Sequence, residues 1–189
     1  MSAELQGKRV AVLVANEGVE QVELTQPWDA LAAAEARPVL VAPQRGEVQA
    51  FDHLDKAATF DAELSTAELD VSTIDAVLLP GGVANPDHLR TDEAAVRAIR
   101  QAVEAGVPVA VICHGPWTLV EADVLPGRTI TSWPSLKTDI ENAGGTWVDR
   151  EVVVDEDGPN TIVSSRKPDD LPAFISAMLD VFAKVRSTT

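Results

Sequence analysis

The sequence predicts an α/β protein in which a mostly parallel sheet is sandwiched between helices, and three observations carry that prediction. Short, uniformly apolar runs recur along the chain, as strands buried on both faces require. Between them lie stretches with apolar residues at helical spacing. One run, Val107 to Ile112, ends in the lone cysteine, Cys113, with His114, Gly115 and Pro116 directly after it. Gly115 permits a sharp reversal and Pro116 suits the first turn of a helix, which places Cys113 on a strand-to-helix nucleophile elbow. Such an elbow aims the side chain at the positive end of the next helix, where a thiol is expected to ionise below its reference pKa of about 8.5.

The elements follow in order. Val10 to Ala15 reads as a first strand, Asn16 to Gly18 as a turn, and Glu20 to Ala36 as a helix with Val22, Trp28 and Leu31 on its apolar face. Pro27 either kinks that helix or opens its main part. Arg37 to Ala42 is the second strand, and two strands joined by a helix imply parallel pairing with a right-handed crossover. Residues 43–74 read as irregular, with a hairpin turn at Gln44 to Glu47. Asp75 to Leu79 is a strand broken by Pro80-Gly81-Gly82. Thr91 is the expected N-cap of a helix carrying Val96, Ile99 and Val103, which Gly106 ends. After the elbow come a strand at Arg128 to Thr131, a helix from Pro134 to Ala143, and the strands Glu151 to Val154 and Thr161 to Ser164, joined by a turn at Asp157-Gly158. A last helix opens at Asp169-Asp170 and carries Leu171, Phe174, Met178 and Phe182 on one face.

Composition excludes several classes of protein. A chain of 189 residues suits one domain with one substantial core, spanning residues 1–189. No apolar run approaches the roughly 20 residues of a membrane span, and the N-terminus lacks the basic start and apolar centre of a leader, so a cytoplasmic location is expected. One cysteine cannot form an internal disulfide, and no Cys/His cluster has zinc spacing, so neither a metal nor another cofactor is expected. Fifteen basic residues against thirty acidic ones give a net charge of −15, which argues against a nucleic-acid partner.

In parallel sheets, reactive groups gather outside the carboxyl ends of the strands. The Asn16 to Glu20 loop, the Gly81-Gly82 turn and Cys113 all lie at such ends. A hydrolase triad built on an elbow takes its histidine from far downstream, whereas this chain has only His53, His88 and His114. The partner of Cys113 is therefore His114, an upstream histidine or a carboxylate. The N–H groups of Gly82 and His114 are candidate donors to an oxyanion. Glu17, Glu20 and Glu23 sit near a helix start, where the dipole favours acids whether or not they do chemistry. Asp87 is a candidate for orienting a histidine, or a solvated loop acid.

Ala15-Asn16-Glu17 with Glu20 to Leu24, Leu79 to Gly82, Ala110 to Pro116, and Ser164 to Arg166 with Pro168 to Leu171 together resemble the PfpI family of intracellular proteases and general stress proteins. That family lies in the superfamily of the Parkinson-disease-associated deglycase, with a class I glutamine amidotransferase-like domain. The resemblance runs nearly end to end and implies a flavodoxin-like three-layer sandwich. It implies Cys113 as nucleophile, His114 as its neighbour, and Glu20 hydrogen-bonded to the sulfur. It further implies that Asp87 completes a triad across a subunit contact in a homodimer or higher homo-oligomer.

A protonated Glu20 against the sulfur would donate to a thiolate or to its oxidised forms, with a raised Glu20 pKa beside a lowered Cys113 pKa. The function the resemblance implies is a cysteine-dependent hydrolase or lyase acting on small aldehyde adducts or peptides: glyoxalase, deglycase or peptidase. The alternative is a stress protein in which Cys113 is oxidised, or whose surface acts as a chaperone, with little turnover. A glutamine amidotransferase is disfavoured by the missing downstream histidine.

Overall fold

A computed structural model describes residues 5–185; Met1 to Glu4, part of the N-terminal stretch read above for a leader, and residues 186–189 lie outside the described residues. Along the chain, β1 (Arg9–Leu13) is followed by β2 (Glu17–Glu20) and α1 (Gln21–Ala33). β3 (Arg37–Ala42) leads into a hairpin of β4 (Gly46–Asp52) and β5 (Asp55–Ala62), then the short β6 (Leu64–Ser65). β7 (Ala76–Leu79) precedes α2 (Ala84–Leu89) and α3 (Glu93–Glu104), and β8 (Val109–Ile112) precedes α4 (Trp117–Glu121). β9 (Thr129–Ile130), α5 (Lys137–Asn142) and β10 (Thr146–Trp147) follow. The hairpin of β11 (Val152–Asp155) and β12 (Ile162–Ser165) then leads to α6 (Leu171–Ala183).

Seven strands form the central sheet in the order β11-β12-β8-β7-β1-β3-β6. Every pairing is parallel except β11 with β12. Alternate residues of the central strands feed two cores. Val10, Val12, Leu78 and Ile112 pack with Leu24 and Leu31 of α1 and with Phe174 and Met178 of α6. Ala11, Leu13, Val77 and Val111 turn to the other face, against Ile99 and Val103 of α3, Leu119 of α4 and Ile140 of α5. This is the expected sandwich. Each fully buried Leu, Ile or Phe contributes roughly 1.5–3 kcal/mol, so the apolar strand runs are what commit the chain to the sheet. Lys8, just before β1, donates its ammonium protons to the carbonyls of Phe182 (2.9 Å) and Ala183 (3.0 Å), closing the carboxyl end of α6.

Four local expectations are corrected. Residues 43–74 are not irregular: β4 and β5 pair antiparallel from Gly46 with Ala62 to Asp52 with Asp55, and the reversal falls at His53-Leu54 rather than at Gln44 to Glu47. β5 is largely exposed, so its side chains show no alternation from which a strand could be read. The expected turn at Asn16 to Gly18 instead runs into β2, which pairs with β4, so the first helix begins at Gln21. Of the two expectations for Pro27, that it opens the main part of the helix is corrected, since α1 already begins at Gln21 and Pro27 sits inside it. The cap of α3 is Asp92, whose Oδ1 accepts from the Ala95 N–H at 2.7 Å, whereas the Thr91 hydroxyl turns back to the His88 carbonyl.

Candidate active site

Cys113 follows β8 directly with φ +63, a left-handed conformation that a side chain rarely adopts and that a strained elbow requires. Its N–H donates to the Ser165 carbonyl of β12 (3.1 Å), and its carbonyl accepts from the Trp133 N–H (2.9 Å), so both sides of the elbow are held. Gly115 and Gly81 make the space. A Cβ on Gly115 would stand 2.8 Å from the Leu79 carbonyl, and one on Gly81 would stand 2.6 Å from the Cβ of Cys113. Asn85, fully buried in α2, fixes the approach of the two loops: its Oδ1 accepts from Ala15 N–H (2.7 Å), and its Nδ2 donates to the carbonyls of Pro80 and Gly81 (both 3.0 Å).

The carboxyl at the sulfur belongs to Glu23, which corrects the expectation for Glu20. Glu23 is fully buried, and its Oε2 accepts from Gly81 N–H at 2.9 Å. Its Oε1 has no well-aligned hydrogen bond of its own, and the Cys113 thiol is the side chain this carboxyl interacts with. Glu20 ends β2 and turns instead to the β4–β5 hairpin, where its Oε2 accepts from His53 N–H at 3.1 Å. The reason is helical geometry. With the first turn of α1 starting at Gln21, the third residue beyond Glu20 faces the sheet, and that residue is Glu23.

Burial, followed by the nearby charge of Glu20, pushes the Glu23 carboxyl up to about 8. Burial also pushes the Cys113 thiol up, and the Glu23 carboxylate adds to that. The expectation of a lowered thiol pKa is therefore reversed. α4 is only five residues long, a weak dipole, and desolvation outweighs it. Two backbone donors work in the opposite sense: the N–H groups of Gly82 and His114 act on the sulfur and favour its charge. These are the two groups expected to face an oxyanion, gathered here around the atom that would generate one.

His114 Nδ1 lies 3.2 Å from the sulfur, and Nε2 lies 3.5 Å from the Ser135 hydroxyl. The ring stacks on Trp133 with centroids 5.6 Å apart and leans on Trp117 at 5.2 Å. Burial holds it down at about 4, so the imidazole is neutral at physiological pH. Asp87 is exposed on α2 and lines an open groove with Arg90, Arg97 and Arg100, so within one chain it does not join His114. His88 is exposed as well. The residue reading missed Asn85, Ser135 and Trp133. Asn85 and Ser135 carry no sequence signal, whereas Trp133 lies one residue before Pro134, where a helix start was expected.

Fold and site together define a flavodoxin-like α/β protein built around an elbow cysteine. Residues 8–181 match the DJ-1/PfpI family, and the chain belongs to it. It is 40% identical over 167 residues to protein/nucleic acid deglycase 2 of Escherichia coli K12, covering 88% of this chain and 93% of that one. It is 36% identical over 178 residues to general stress protein 18 of Bacillus subtilis, covering 94% and 99% of the two chains. Among solved structures, Schizosaccharomyces pombe DJ-1 superposes with a TM-score of 0.79 at 22% identity over 95% of this chain and 93% of that one, a likeness of fold.

Proposed function

We propose that this chain is a cysteine-dependent stress-response hydrolase or lyase that acts on small aldehyde adducts, as a deglycase or glyoxalase, or on peptides. The observation that carries the reading is the buried Cys113 sulfur met at once by the Glu23 carboxyl, two backbone N–H groups and His114 Nδ1. Relatives named deglycase and general stress protein support it. In this mechanism Cys113 transfers its proton to the Glu23 carboxylate and the sulfur bonds to the electrophilic carbon. The carbonyl electrons move onto oxygen, and the N–H groups of Gly82 and His114 turn from the sulfur to that oxyanion. Glu23, held at about 8, suits this transfer near neutral pH better than His114, held at about 4. The neutral His114 ring relays protons to and from the substrate oxygen.

The reading places the protein in the cytoplasm; no helix among the described residues is long and apolar enough to cross a membrane. It assigns adducts on small molecules or proteins rather than nucleic acid, since a chain of net charge −15 repels a phosphate backbone. It assembles as a homodimer or larger homo-oligomer in which Asp87 reaches the partner's elbow, and a monomer by sedimentation would sink that part. The main test compares methylglyoxal consumption, deglycation and peptide cleavage by the intact protein and by Cys113→Ala. Activity unchanged in Cys113→Ala would falsify the nucleophile.

One feature favours a second reading. A protonated Glu23 and two N–H groups around one sulfur would hold a sulfenate or sulfinate as well as an oxyanion. If mild peroxide adds oxygen to Cys113 while no substrate turns over, the chain is a redox sensor or chaperone-like stress protein rather than an enzyme.

A further inference from the structure

The β4–β5 hairpin brings to one point three groups that lie apart in sequence. The ligand atoms of Glu20, Asp52 and His53 all fall within 4.8 Å of one another. His53 Nδ1 stands 3.7 Å from Glu20 Oε2. Two ligands at about 2.0–2.2 Å from one zinc ion stand roughly 3.3–3.6 Å apart, so this pair needs only a small inward movement to share a cation. Glu20 is fixed, buried at the end of β2 with its side chain 9% exposed. It also anchors the hairpin tip by accepting the His53 N–H. Asp52 and His53 are exposed and can rotate to close on an ion.

Charge supplies an independent argument. Among the described residues neither Lys nor Arg pairs with Glu20, and the basic group within salt-bridge distance of it is the His53 ring, whose side chain is 81% exposed. Glu23, buried close by, feels the charge of Glu20 and holds its own proton up to about 8, so it supplies Glu20 with no counter-ion. A dication bound by the two carboxylates would neutralise them, with the imidazole as a neutral third ligand.

The geometry points to a divalent-cation site formed by Glu20, Asp52 and His53, fitted to zinc or a similar first-row transition ion. One imidazole nitrogen and two carboxylates suit such borderline ions better than Mg2+, which prefers an all-oxygen octahedral shell. The remaining positions are left for water. The site is separate from the Cys113 thiol and does not depend on the deglycase reading.

The test uses tag-free full-length protein and Zn2+ as the probe, with Mg2+ as the hard-ion control. Calorimetry is expected to show about one Zn2+ per chain, with Mg2+ bound far more weakly. His53→Asn keeps a residue that tolerates the left-handed backbone at φ +58, so the hairpin survives. That variant and Asp52→Asn should each weaken Zn2+ by about ten-fold or more. Cys113→Ala should bind as the intact protein does, and Co2+ should show visible bands without a thiolate charge-transfer band. Zn2+ should raise the unfolding temperature of the intact protein and not that of His53→Asn. The site is overturned if Zn2+ binding is lost in Cys113→Ala but kept in His53→Asn. Absence of saturable binding by the intact protein up to about 1 mM overturns it equally, since so weak a site contributes only about 4 kcal/mol.

Discussion

Glu23 and Cys113 meet where water barely reaches, the carboxyl fully buried and the cysteine 6% exposed, and burial raises both pKa values. The Glu23 charge disfavours that of the sulfur, while the thiol bonded to Glu23 partly offsets the burial of the carboxyl, so the pair keeps a proton that an exposed carboxyl would lose.

The first prediction follows for stability. The folded carboxyl binds its proton up to about 8 and the unfolded one releases it near 4.5. Between those values the folded state holds more protons, so stability falls as pH rises, by up to a few kcal/mol. Glu23→Gln, which has no proton to lose, should flatten this slope. Urea unfolding at pH 5, 7 and 9 would show it, and equal slopes for the two proteins would refute the buried, raised Glu23.

A second prediction concerns rate. If Glu23 accepts the thiol proton, kcat/KM should climb as pH rises towards about 8 and lose that limb in Glu23→Gln. No limb should appear near 6.5, because His114 is held at about 4. A limb near 6.5 that disappears in His114→Gln would show that the imidazole, not the carboxyl, is the base.

The crowding at the elbow gives a third. Gly81→Ala forces a methyl group against the Cβ of Cys113 and the Glu23 carboxylate oxygen, so it should cost about 1–3 kcal/mol and most of the activity. Gly127→Ala meets no atom within 4 Å and carries only the strain of its φ of +79, so it should cost about 1 kcal/mol and leave activity intact. Equal losses of activity in the two variants would mean that crowding at Gly81 does not control the site.

The corrected helix start gives a fourth. Asp92→Ala removes the α3 cap and should cost about 1 kcal/mol in chemical denaturation, with turnover unchanged, whereas Thr91→Ala should cost less. The reverse order would restore Thr91 as the cap.

What the residues disclosed, and what they withheld, follows from where structural information resides. The central strands were legible because burial on both faces forces a continuous apolar run, as in Val109 to Ile112. The elbow was legible because Gly115 and Pro116 follow the apolar run, although the left-handed turn falls on Cys113 itself and Gly115 supplies space beside the Leu79 carbonyl. The hairpin was hidden because β5 faces solvent along most of its length, and an exposed strand obeys no alternation. The choice between Glu20 and Glu23 depended on where β2 gives way to α1, and a boundary error of one or two residues turns a side chain to another face. Asn85 and Ser135 act through long-range contacts to Ala15 and His114, which no local pattern encodes.

The bond from Lys8 to the last turn of α6 also sets an order of events. β1 lies in the interior of the sheet, yet the ammonium of Lys8, the residue just before it, bonds to carbonyls that leave the ribosome some 174 residues later. A nascent chain stalled before α6 lacks that clasp and the helix covering Val10, Val12 and Ile112. The elbow cysteine is therefore expected to stay open to alkylating reagents throughout synthesis and to become shielded only when the final helix docks.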